Sequence, residues 1–84
     1  MSDLSWDDLR LLSTLAFERA DDQTLPMAER ERWGDIAERV FASTARPKDL
    51  LAVAELAELD AAQQRDAKVR QRYLDLAARA IAAA

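Results

Sequence analysis

The chain of 84 residues has no cysteine and no histidine, one glycine and two prolines. Each shortage excludes a chemistry. Without cysteine there are no disulfides, no thiolate zinc sites and no thiol nucleophiles. Without histidine, Ser–His and Cys–His nucleophilic sites, imidazole bases, HExxH zinc sites and Glu-x-x-His di-iron sites all disappear. One glycine cannot build a phosphate-cradling loop, and no Asp-rich segment with a glycine turn resembles a calcium loop. No stretch approaches the ~18 uncharged apolar residues of a membrane span. The opening Met-Ser-Asp-Leu-Ser-Trp-Asp-Asp is acidic and lacks an apolar h-region, so no secretory leader is expected. We expect a cytoplasmic protein without cofactor or metal, and not an enzyme.

Strand signals are missing too, since no two β-branched residues are adjacent and alternation is absent. What is present is helical and repeated. Residues 30–42, RERWGDIAERVFA, align with residues 70–82, RQRYLDLAARAIA, with identity at six of the thirteen positions. Upstream, Asp8-Leu9 and Leu15-Ala16 match Asp49-Leu50 and Leu56-Ala57, one residue out of register. The expected fold is all-α: a compact four-helix bundle of two pseudo-repeated antiparallel hairpins, about 4–43 and 44–84, in a single domain. Units of about forty residues also suit helical solenoids, but two fall short of the three such arrays need.

Four helices are expected, over about 5–20, 26–43, 47–60 and 64–82. Ser5 is a good N-cap with Asp7 and Asp8 in the first turn, and Leu4 and Leu9 occupy the positions of a hydrophobic staple. Leu9, Leu12 and Leu15/Ala16 make an apolar stripe, widened by Trp6, Leu11 and Phe17. Pro26 suits the first turn of the second helix, whose stripe is Trp33, Ile36/Ala37 and Val40/Phe41. Gly34 inside that helix costs about 1 kcal/mol relative to Ala unless another helix crosses closely. Pro47 opens the third helix, apolar over most of its circumference and so expected to be the most buried. The break before the fourth helix holds neither Gly nor Pro; the repeat places it, and Asp60 with Gln63 suggests a capping box. Val69, Tyr73, Leu76 and Ala80 form a narrow seam on the fourth helix.

Charge is uneven beneath a net −4: residues 1–22 hold six acids and two arginines, whereas residues 61–84 hold five bases and two acids. Arginine makes up ten of the twelve bases and alanine is the commonest residue, a bacterial-looking composition. Asp7-Asp8 and Asp21-Asp22 are adjacent acid pairs that would suit a divalent-metal or acid/base site. Their positions at helix ends favour solvated acids. Asp35/Arg39 and Asp75/Arg79 recur at i,i+4 spacing and read as intrahelical ion pairs. Arg65, Arg72 and Arg79 line one face of the fourth helix with Lys68 beside it, yet the acidic chain disfavours nucleic acid as a partner. Trp6 has no aromatic counterpart in the second repeat and is the better of the two tryptophans for partner contact.

The expected role is a non-enzymatic protein–protein interaction module acting through a helical surface, with homodimerisation through the third or fourth helix as a natural extension. Candidate partner-binding residues are Trp6, Asp7, Asp21, Asp22, Arg65, Lys68, Arg72 and Arg79. Two other roles fit the charge pattern. One is an acidic phage- or plasmid-type inhibitor of a nucleic-acid-binding or defence complex. The other is an antitoxin-like or DNA-binding regulator using the basic fourth helix.

Overall fold

Helix α1, Trp6–Ala20, starts where its sequence supplies a cap. The Ser5 hydroxyl accepts the Asp8 N–H at 3.1 Å, and the Asp8 carboxylate accepts the Ser5 N–H at 3.3 Å. α2 spans Met27–Phe41, α3 Pro47–Ala62 and α4 Ala67–Ala83 in this computed structural model, which describes residues 4–84. The protein is a four-helix bundle, with α1 against α2 and α3 against α4 as the two intimate pairs. Its Cα envelope measures 33 × 33 × 17 Å, thin enough that every helix keeps a solvent side.

The repeat is visible in the packing. Leu12, Leu15 and Ala16 of α1 occupy the places that Val53, Leu56 and Ala57 take in α3. Ile36, Ala37 and Val40 of α2 correspond to Leu76, Ala77 and Ala80 of α4, and all twelve lie in one core. Trp33 is buried with the Arg32 guanidinium 5.3 Å above its ring, while its counterpart Tyr73 is half-buried at the core edge. α3 carries the most buried residues of any helix, from Asp49 to Ala61. Leu4 and Leu9 pack on the core and share a cleft with their counterparts Ala45 and Leu50.

Several boundaries differ from the sequence expectation. α2 begins one residue late because Pro26 serves as its N-cap. It also ends at Phe41, where Ser43 turns left-handed at φ 61°. There the Ser43 N–H reaches the Val40 carbonyl and the Thr44 N–H the Arg39 carbonyl, the paired bonds of a Schellman stop. The Asp60–Gln63 capping box does not form. α3 runs on through Asp60 to Ala62, and Asp66 instead caps α4 by accepting the Lys68 and Val69 N–H groups. Nor does a close crossing demand Gly34, for a Cβ there would lie 3.9 Å from the Ala20 Cβ, ordinary van der Waals distance. Trp6, Leu11 and Phe17, expected to widen the first core stripe, and Phe41, expected within the second, are exposed instead.

These two backbone sites yield stability predictions. Gly34→Ala fits the available space and removes the helical glycine penalty, so it should stabilise by about 0.5–1 kcal/mol in urea unfolding. Ser43→Gly should stabilise by about 1 kcal/mol, because only glycine takes the left-handed region without a Cβ clash.

Candidate functional site

The most organised polar chemistry lies at the pole where α1 and α3 begin and α2 and α4 end. Asp8 and Asp49 are equivalent third residues of their helices, and both are buried. Asp8 receives both arms of Arg79, Nε on Oδ2 at 2.9 Å and a terminal nitrogen on Oδ1 at 2.9 Å. Asp49 receives Arg39 in the same way at 2.8 and 2.9 Å. Each carboxylate also accepts the N–H of its own N-cap residue, Ser5 or Arg46. The fork of two parallel N–H···O bonds is the strong form of this interaction.

This geometry corrects the expected i,i+4 pairs Asp35/Arg39 and Asp75/Arg79. Each arginine leaves its own hairpin and closes on the aspartate that begins the other one. A buried carboxylate needing several donors outcompetes an exposed one a turn away, which offers only a few tenths of a kcal/mol. The helix ends favour the same choice, with acid at N-termini and arginine near C-termini.

The Arg79 guanidinium beside Asp8 holds its carboxyl below the ordinary value of 3.8, with burial partly opposing. Arg39 does the same for Asp49, again against burial. Asp22 is also lowered, by the Thr24 hydroxyl and N–H that it accepts in the α1–α2 turn.

The candidate partner-binding residues do not form one patch. Asp7 is exposed on the outer side of α1, separated in role from its buried neighbour Asp8. Asp21 ends α1 in solvent, and Asp22 is half-buried and used locally in the turn. Lys68 and Arg72 are exposed along α4, and Arg72 lines a cleft with Leu11, Val69, Tyr73 and Leu76. Arg65, expected on the same helix face, is exposed in the α3–α4 turn instead, because α4 starts only after its Asp66 cap. Arg79, the fourth base of that face, is committed to Asp8. Trp6 is 55% exposed, and its ring lies 5.5 Å from Phe41 at an interplanar angle of 57°.

Phe17, Met27 and Phe41 on the first hairpin, and Leu51, Leu74 and Ile81 on the second, are exposed apolar residues that helical periodicity alone assigned to cores or left unremarked. The available signal was the breadth of the apolar arcs, which exceed the single face a two-hairpin core can cover. Among the described residues no group of three or more acids gathers to hold a metal ion. No family model, curated protein or solved structure matches this chain.

Acid should weaken the fold through the two buried aspartates. Their folded pKa values lie below the unfolded value, so their contribution is complete above about pH 4 and fades as pH falls through the folded values. Asp8→Asn should cost about 1–3 kcal/mol at neutral pH, discounted because Arg79 remains partly in water. Urea unfolding from pH 7 down to pH 2 should show this gap between wild type and variant narrowing. A constant gap would place the stabilisation elsewhere.

Proposed function

We propose that this chain is a small non-enzymatic protein-interaction module: an adaptor, regulator or inhibitor that presents helical faces to another protein. The observation supporting this most is the exposure of large apolar side chains on both hairpins, around a core that closes without them. Burying apolar surface contributes roughly 25 cal/mol per Å², and clustered exposed apolar residues mark interaction faces. Trp6 and Phe41 add the aromatic character that dominates binding hot spots. We place its work in the cytoplasm, in keeping with a cysteine-free chain; no described helix is long and apolar enough to cross a membrane.

The charge-based alternatives draw less support. An acidic decoy calls for a continuous carboxylate face, but the acids of α2 alternate with Arg30, Arg32 and Arg39 and those of α1 with Arg10 and Arg19. Of the three arginines that a DNA-reading α4 would align, Arg65 precedes the helix and Arg79 is committed to Asp8.

Affinity purification of the tagged chain from its native host tests the proposal. Wild type is compared with Trp6→Glu/Phe41→Glu and with Leu51→Glu/Ile81→Glu, each checked for helicity by circular dichroism. A protein that co-purifies with wild type should be lost with one of the folded face variants. Recovery unchanged by both would end the helical-face reading.

A further inference from the structure

Building on the interaction-module reading, we infer that the outer face of the α1–α2 hairpin binds a second copy of this chain in a two-fold symmetric dimer. Trp6, Arg10, Ser13 and Phe17 follow one another at spacings of four, three and four, so they share a stripe of α1. Met27, Glu31, Gly34, Glu38 and Phe41 share a stripe of α2 in the same way. Two contacts set the stripes side by side: the Trp6–Phe41 ring pair, and the 3.9 Å approach of the Gly34 Cβ position to the Ala20 Cβ. The result is a seam with a low floor at Ser13 and Gly34 and aromatic residues rising around it.

Charge identifies the occupant. Arg10 on the α1 side is exposed and forms no ion pair among the described residues, and the same holds for Glu31 and Glu38 on the α2 side. A two-fold axis along the seam lays α1 of one copy over α2 of the other. Arg10 of each copy then faces the glutamates of its mate, and Trp6 and Phe17 meet Phe41 and Met27. The contact is isologous, so it closes at two copies. The equivalent seam of the second hairpin has neither aromatics nor a base facing acids, carrying Leu51, Glu58, Leu74 and Ile81 in those places. Only the first hairpin complements itself.

Sedimentation equilibrium of the full chain from micromolar to millimolar concentration tests this. The mass should rise from 9.4 kDa toward twice that value. Trp6→Glu should weaken association by at least about tenfold, as loss of a hot-spot aromatic does. Arg10→Glu should also weaken it, and adding Glu31→Arg with Glu38→Arg should restore it, while Leu51→Glu on the other hairpin should change nothing. A monomer at every concentration overturns the inference. So does a dimer indifferent to the Arg10 reversal and Trp6→Glu, or one broken by Leu51→Glu. Arg10 is exposed, so its variants remain informative even if Trp6→Glu perturbs the fold. A monomer leaves the co-purification result untouched, and failure of co-purification leaves the dimer untouched.

Discussion

Two buried carboxylates, each gripped by an arginine from the opposite hairpin, are the constraint around which this small bundle is organised. Asp8 and Asp49 would be costly to bury alone, since a charge removed from water must find compensating donors. Each finds three: its N-cap N–H and both arms of a guanidinium. The N-cap bond fixes the carboxylate on its helix, and the guanidinium fixes the other hairpin relative to it. Apolar packing could tolerate a slide of one hairpin on the other, because leucines and alanines interchange along a stripe. A bidentate fork tolerates very little. The ion pairs therefore supply register, and the core supplies most of the driving force.

The exchange also explains how a repeated sequence makes one body. An arginine satisfied by the acid one turn earlier would leave each hairpin electrostatically self-contained. Pairing across instead joins α4 to α1 and α2 to α3 at the same pole, so neither hairpin has a complete polar shell by itself. One pair bridges ten residues through the α2–α3 turn, while the other spans seventy-one and ties the last helix to the first.

The helices were legible in the sequence because their periodicity and caps are local: Ser5 before Trp6, Pro47 opening α3, the repeat marking a turn near residues 60–66, which the structure narrows to 63–66. The choice of partner for Arg39 and Arg79 was not legible. The i,i+4 acid is visible in one dimension, whereas the nearer and better-buried acid is created only by the fold. Apolar positions failed for a related reason. Phe17 and Phe41 lie at helical spacing from true core residues, but two hairpins leave no third layer to cover them. That surplus of apolar surface is the structural basis of the proposed function, and its charge pattern singles out the first hairpin.

A double-mutant cycle on Asp8→Asn and Arg79→Gln, read by urea unfolding at neutral pH, tests the organising role of the exchanged pairs most directly. The account predicts a favourable coupling of about 1–2 kcal/mol between residues seventy-one positions apart. Strictly additive losses, with no coupling beyond error, would contradict it.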